Sequence, residues 1–350
     1  MSMSLADLTT FRVGGAISRL VQAQGEAELI EAVQSADAAG EPVLLLGGGS
    51  NLLAADSAFE GVVVRDQRQQ LTVDSADACG GAVVDVSAGM RWDDLVLRAI
   101  AEGWSGVEAL SGIPGTVGAT PVQNVGAYGQ EVGEVIAAVR TWDRQDNRIR
   151  TFARADLQLG YRTSLLKQSL QPPWHPSPRY VVLSVRFQMP LATLSTPIAY
   201  PELARVLDVE PGARADIGDV RRAVLGLRRS KGMVLDALDH DTWSAGSFFT
   251  NPVLGRTVPL PPGAPRFETG GKVKTSAAWL IRSAGFEPGY RLPGGGGAAS
   301  LSTKHALALT NRGHACAEDL TALARAIRDG VREAFAIVLE PEPVLVGLSL

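Results

Sequence analysis

The chain has 350 residues, 45% of them hydrophobic and 20% charged, with a formal net charge of −4. That length allows two or three domains with sizeable cores, and the acidic balance argues against a nucleic-acid binder. Two cysteines, Cys79 and Cys316, make neither a disulfide framework nor a zinc site and are expected to be small buried hydrophobes. No stretch approaches the ~18 apolar residues of a membrane span and the N-terminus has no apolar signal core, so a soluble cytoplasmic protein is expected.

In chain order, Glu26 to Ala39 reads as a helix with Leu29, Ile30, Val33 and Ala36 on one face and Gly40 as its stop. A short buried strand, 42–46, runs into Gly47-Gly48-Gly49-Ser50-Asn51. This cluster lacks the glycine that a dinucleotide fingerprint needs where Leu52 stands, and no Gly-Lys-Ser/Thr follows it. A structural turn and a phosphate-binding loop both stay open. Strands are predicted at 61–64 and 82–87, and a helix at 92–101 ends at Gly103.

Ser111 to Gly129 has glycine at 112, 115, 118, 126 and 129, two prolines and no charged side chain. It is a poor helix and a poor strand. It suits either a long structural loop or a backbone cradle for an anion such as a pyrophosphate. A hairpin is predicted over 137–150, turning at Asp146-Asn147, then a Pro-rich irregular loop at 171–178 and a strong strand at 180–188. Short strands and few helices, without a βαβ rhythm, make the first half α+β.

Asp216 to Arg229 is an amphipathic helix with Asp216 as N-cap. It ends in Arg228-Arg229-Ser230-Lys231, which either complements the helix dipole or clamps phosphates or a carboxylate. In Ala245-Gly246-Ser247-Phe248-Phe249 no G-x-S-x-G elbow surrounds the serine, which argues against a hydrolase and leaves a hydroxyl able to donate a proton. Helices are predicted at 274–284 and 317–335, a flexible loop at Gly294–Gly297, and a strand at Ala336–Leu339 that ends in Glu340-Pro341-Glu342-Pro343.

The segments GGGSN (47–51), IPGTVGATPVQNVGAYG (113–129), GYRTS (160–164), AGSFFTNP (245–252) and LEPE (339–342) occur in one order. Together they resemble the UDP-N-acetylenolpyruvoylglucosamine reductase (MurB) family of bacterial peptidoglycan precursor synthesis, from about residue 10 to about residue 347. The resemblance implies an α+β architecture. A two-part FAD-binding fold of the vanillyl-alcohol-oxidase (PCMH) type occupies 1–66 and 67–226. An α/β substrate-binding domain follows at 227–342, and the segment 343–350 is able to return to the first part.

The resemblance also implies non-covalent FAD, with NADPH as co-substrate and UDP-N-acetylglucosamine enolpyruvate as substrate. Hydride passes from flavin N5 to C3 of the enolpyruvyl group, and a proton from Ser247 reaches C2. It assigns Arg162, Ser247 and Glu342 to catalysis. Gly47, Gly49, Ser50, Asn51, Pro114, Gly115, Gly118, Thr120, Gly126, Ala127, Tyr128 and Arg162 are assigned to FAD. Tyr200, the gating tyrosine of the type I form, is assigned to substrate with Arg228, Lys231 and Asn251. No metal, nucleic acid or membrane insertion is implied, and a monomer is favoured. Thr250 departs from the lysine often found in relatives. Two alternatives are another FAD oxidoreductase of the same fold and a non-catalytic UDP-sugar-binding protein.

Overall fold

A computed structural model describes residues 3–294 and 296–350. In chain order the first elements are β1 (Ile17–Ala23), α1 (Glu26–Ala38), β2 (Val43–Leu45), β3 (Leu52–Ala54), β4 (Phe59–Asp66), β5 (Leu71–Asp77), β6 (Gly81–Ser87) and α2 (Trp92–Ala101). Then come β7 (Gly126–Ala127), β8 (Gln130–Glu131), β9 (Ile136–Asp143), β10 (Arg148–Ala153), α3 (Leu165–Gln168), β11 (Tyr180–Met189), α4 (Pro201–Leu207) and α5 (Ile217–Ser230). The last third holds β12 (Val253–Gly255), β13 (Phe267–Thr269), β14 (Lys272–Lys274), α6 (Ala277–Ser283), β15 (Ala299–Leu301), β16 (Leu309–Asn311), α7 (Ala317–Phe335) and β17 (Val344–Val346). No helix among the described residues is long and apolar enough to cross a membrane.

The chain forms two compact units. One comprises residues 17–48 and 60–229, the other 1–16, 49–59 and 230–350. The first holds a five-stranded antiparallel sheet in the order β10-β9-β11-β6-β5 and a three-stranded sheet β1-β4-β2 in which β2 and β4 run parallel. β11 is central because its side chains alternate. Val181, Leu183, Val185, Phe187 and Met189 are buried, while Arg186 and Gln188 are exposed. α1 and the small sheet share a core with Trp142, Val181 and Leu183. A larger core sets Trp92, Leu95, Val96 and Ala99 of α2 against Val84, Val86 and Phe187. The hairpin β9–β10 turns as predicted, with Asn147 in the left-handed conformation that asparagine tolerates.

In the second unit α7 buries Leu320, Leu323, Ala324, Ile327 and Val331, one stripe at helical spacing, against Phe248, Phe249, Leu280 and Leu309. Its first turn is fixed by Asp319, whose carboxylate accepts the Cys316 N–H at 2.9 Å. β17 pairs in parallel with β3, register Val344 opposite Leu52.

The structure corrects several expectations. Ala336–Leu339 is not a strand. Ile337 and Leu339 are buried and Val338 is exposed, which mimics strand alternation, but Ala336 takes a left-handed φ of 55° to end α7 and the paired strand comes later, as β17. The helix predicted at 274–284 starts three residues later. Ser276 accepts the Trp279 N–H as an N-cap, and Lys272–Lys274 pair in a sheet instead. Gly294, Gly296 and Gly297 lie in turns, and Gly295 lies outside the described residues. Neither cysteine is buried. Cys79 sits in the turn joining β5 to β6 and Cys316 at the N-cap of α7, and both positions face solvent by construction of the hairpin and helix end.

Candidate active site

In the unit built on the five-stranded sheet, the two glycine segments meet. A Cβ on Gly48 would stand 2.7 Å from the Gly115 Cα, and one on Gly47 would stand 2.8 Å from the Thr116 Oγ1. At Gly48 the contact is with backbone, so the two segments touch there only because that position is glycine, while at Gly47 a side chain would displace the Thr116 hydroxyl. Gly118 is pressed in the same way onto Ala88, and its N–H bonds the Ala88 carbonyl at 2.9 Å. Among the described residues the N–H groups of Gly47, Gly48, Gly115 and Thr116 donate to no protein acceptor. A cluster of backbone donors left for solvent or ligand is the arrangement that binds anions.

The rest of the stretch is well fixed. Thr120 is buried, donates to the Val117 carbonyl at 2.8 Å and accepts the Val125 N–H. Pro114 is exposed, and Ala127 pairs with Gln130 through β7 and β8. The Gly126 carbonyl accepts Nη2 of Arg162 at 2.8 Å. Arg162 occupies a tight turn closed by reciprocal Gly160 and Thr163 N–H···O bonds, with a left-handed φ of 51°. A non-glycine residue held there carries about 1–3 kcal/mol of strain, which points to a functional constraint. Lys167 Nζ donates to the Arg162 carbonyl at 3.1 Å, and Ser164 caps α3.

Tyr128, also left-handed, meets Tyr200 edge-to-face with ring centroids 5.4 Å apart. Tyr200 is 39% exposed and immediately precedes α4. Arg228 is buried near the end of α5, and its guanidinium lies against Gly112. Burial lowers the pKa of Arg228, opposed by Tyr128 and Asp93. Asp93 is itself pulled up by burial, but the Arg221 fork and the Gly112 N–H hold it below its ordinary value.

The second unit holds the other predicted residues. Phe248 donates its N–H to the Leu307 carbonyl at 2.7 Å and accepts the Glu342 N–H at 2.8 Å, while Thr250 N–H bonds the Glu340 carbonyl at 3.0 Å. Phe249 and Pro341 bridge in antiparallel fashion. This short ladder brings AGSFFTNP alongside LEPE, so Ser247 and Glu342 become neighbours through their backbones. None of the hydrogen bonds among the described residues uses the Ser247 hydroxyl. Asn51 joins the same place. Its Nδ2 donates to the Glu342 carbonyl at 3.3 Å, and its own carbonyl accepts the Val344 N–H. Gly49 has a φ of 61°, and a Cβ there would collide with the Leu8 carbonyl; Ser50 follows it in a turn. Asn251 has a local duty, since its Oδ1 caps α6 through the Ala277 N–H at 2.9 Å. Lys231 lies in the turn after α5.

Sequence reasoning missed Asp241, a buried carboxylate on the segment leading to Ser247. It accepts the Thr303 N–H at 2.9 Å, the Thr303 hydroxyl at 2.6 Å and Arg312 Nη1 at 3.0 Å. Burial raises its pKa, but those donors hold it below the ordinary 3.8. A depressed folded pKa gives stability that is present above the unfolded value and lost as pH falls through the folded one. Asp241→Asn is therefore expected to cost about 1–3 kcal/mol at neutral pH. In urea titrations its gap to the parent should shrink as the pH is taken below 3.8; a gap that stays constant would sink the assignment.

The comparisons with known proteins agree with this layout. Residues 237–346 match the UDP-N-acetylenolpyruvoylglucosamine reductase C-terminal domain, and residues 17–152 match an FAD binding domain. The chain is 53% identical over 347 residues to a UDP-N-acetylenolpyruvoylglucosamine reductase of Cutibacterium acnes, covering 99% of this chain and 90% of the relative. It is 48% identical over 365 residues to that of Thermobifida fusca, covering 100% and 98%. The crystal structure of UDP-N-acetylenolpyruvylglucosamine reductase (MurB) from Thermus caldophilus superposes with a TM-score of 0.64 at 26% identity, covering 98% of this chain and 97% of that one. The fold class is α+β with an FAD-binding fold of the vanillyl-alcohol-oxidase type, as the motifs implied. With matches this long at this identity, the chain belongs to the UDP-N-acetylenolpyruvoylglucosamine reductase (MurB) family.

Proposed function

We propose that this chain is a UDP-N-acetylmuramate dehydrogenase, an FAD-dependent oxidoreductase that uses NADPH to reduce the enolpyruvyl group of UDP-N-acetylglucosamine enolpyruvate. The observation that supports the mechanism is the ladder between residues 248–250 and 340–342, which brings the backbone next to Ser247 alongside the backbone of Glu342 within one unit.

The chain's residues fit a bound dinucleotide. The free backbone donors of Gly47, Gly48, Gly115 and Thr116 suit its pyrophosphate, and the uncharged small-residue stretch from Pro114 through Gly118, Thr120, Gly126, Ala127 and Tyr128 would hold its remainder. Gly49, Ser50 and Asn51 belong to the same assignment. When bound there, FAD would supply the hydride chemistry, carrying the hydride of NADPH to C3 of the substrate.

The chain's own residues handle the charge that follows. Negative charge develops at C2 and spreads onto the adjacent carboxylate. The fixed guanidinium of Arg162 would bind that carboxylate, stabilising the charge where it forms without reorganisation. Ser247 would deliver a proton to C2; a hydroxyl is a weak acid, but a carbanion is a strong base. Glu342 would hydrogen-bond the same region. Arg228 and Lys231 suit the substrate diphosphate, Asn251 contributes through the position it holds at α6, and Tyr200 gates entry. In this reading residues 1–66 and 67–226 are the two parts of the FAD-binding fold and 227–342 the substrate part, with 343–350 returning to the first. The chain would act as a cytoplasmic monomer, which light scattering on the purified protein would test.

The decisive experiment is spectroscopic. NADPH added anaerobically to the flavin-loaded protein should bleach its visible absorbance, and UDP-N-acetylglucosamine enolpyruvate should restore it. A protein that takes up no FAD, or whose reduced flavin ignores the enolpyruvyl sugar, would end the proposal.

A further inference from the structure

Glu108 is a carboxylate in an apolar run, Val107-Glu108-Ala109-Leu110, and is fully buried. No cation pairs with it among the described residues. Burying such a group is costly unless hydrogen bonds replace its water. They come from three separate places. Oε2 accepts the Gly106 N–H at 2.6 Å, and Oε1 accepts Gln130 Nε2 at 2.7 Å and the Thr196 N–H at 3.3 Å.

Gln130 completes the joint. Its Oε1 accepts the Ala109 N–H at 2.8 Å, and its Nε2 also donates to the Thr196 hydroxyl at 2.9 Å. Three segments distant in sequence are thus tied at one point. The first runs directly into the glycine stretch. The second begins just after that stretch, in β8, paired with the β7 strand whose Gly126 carbonyl holds Arg162. The third leads within four residues to Tyr200. Around the joint Ala109, Ile198, Leu203 and Ala204 share a small apolar core with α5. Apolar burial supplies cohesion there but tolerates sliding, whereas directional hydrogen bonds fix register.

We propose that Glu108 is a positioning residue for Tyr200. It sets the 196–200 segment against 126–130 so that Tyr200 meets Tyr128 edge-on, and through that placement it governs binding of the UDP-sugar without touching it. The proposal rests on the reading of Tyr200 as a substrate-gating residue.

The test uses the full-length, FAD-loaded protein and the variants Glu108→Gln and Thr196→Val. Glutamine keeps the shape but replaces bonds to a carboxylate with weaker neutral ones, and its amide N–H₂ opposes either the Gly106 N–H or both the Gln130 amide and the Thr196 N–H. Amide exchange at 196–200, followed by mass spectrometry without substrate, should quicken about tenfold in Glu108→Gln and less in Thr196→Val, which keeps the backbone bond. KM for UDP-N-acetylglucosamine enolpyruvate should rise about tenfold, with kcat and the rate of flavin reduction by NADPH within about twofold. In a Tyr200→Ala background Glu108→Gln should add little to KM, because the two residues act through one contact. Three results would overturn the proposal: unchanged exchange at 196–200; faster exchange with an unchanged KM; or a parallel fall of both half-reactions with a lower Tm. If the parent protein does not turn over the UDP-sugar, the functional reading fails on its own, and the exchange experiment still decides whether the carboxylate holds this segment.

Discussion

Ser247→Ala is expected to be reduced by NADPH at the parental rate but to reoxidise with the enolpyruvyl sugar about 10²–10⁴-fold more slowly, the usual contribution of a positioned proton donor. The geometry makes the experiment clean. The backbone around Ser247 is held by the Phe248 N–H on Leu307 and by the Glu342 N–H on Phe248, and neither bond involves the side chain that is removed. The fold and the Glu342 position should therefore survive the truncation. Anaerobic stopped-flow traces separate the two half-reactions. Equal slowing of both would make Ser247 a structural residue and would remove the proton donor from the mechanism.

Arg162→Met should slow substrate-dependent reoxidation by about 10²–10³-fold, the range found when one preorganised donor to developing charge is lost. Arg162→Lys should recover only part of that. It restores the charge but not the planar fork, one nitrogen of which stays on the Gly126 carbonyl while others would bind the substrate carboxylate. The left-handed backbone at this position burdens arginine, lysine and methionine alike, so backbone strain cancels between the parent and the two variants. Flavin affinity, titrated separately, reports the loss of the Gly126 contact. Full reoxidation rates in Arg162→Met would rule out a role for this side chain at the substrate carboxylate.

Legibility differed by type of feature. The long helices and central strands stood in the sequence because their stripes are complete. α7 carries six buried apolar residues at helical spacing, and β11 alternates along its whole second half. Helix stops were legible where glycine takes the left-handed turn, as at Gly40 and Gly103. The same logic failed after α7, where alanine takes that conformation and the following alternation has no strand to pair with. The cysteines were misjudged because composition carries no information on whether a position is a hairpin turn or a helix cap.

The candidate site was legible as a set of residues but not as an arrangement. The ordered motifs named Ser247, Glu342 and Asn51, yet only the fold shows the 248–250 and 340–342 segments laddered together and Asn51 bonded to Glu342. Glu108 could have been flagged as a lone acid in an apolar run, and Asp241 had no signal of that kind.

What the sequence by itself determined is what neighbouring residues decide together. It set the periodicity of helices and strands, the glycines that permit close backbone approach, the uncharged character of the 111–129 stretch and the family its motifs share. The tertiary structure alone decided which glycine meets which backbone, which carbonyl receives Arg162, and which distant amides satisfy Glu108. The reason is physical. Local preferences are set by sterics within a few bonds, whereas a buried polar group is satisfied only by whatever loop closure brings to it from far along the chain.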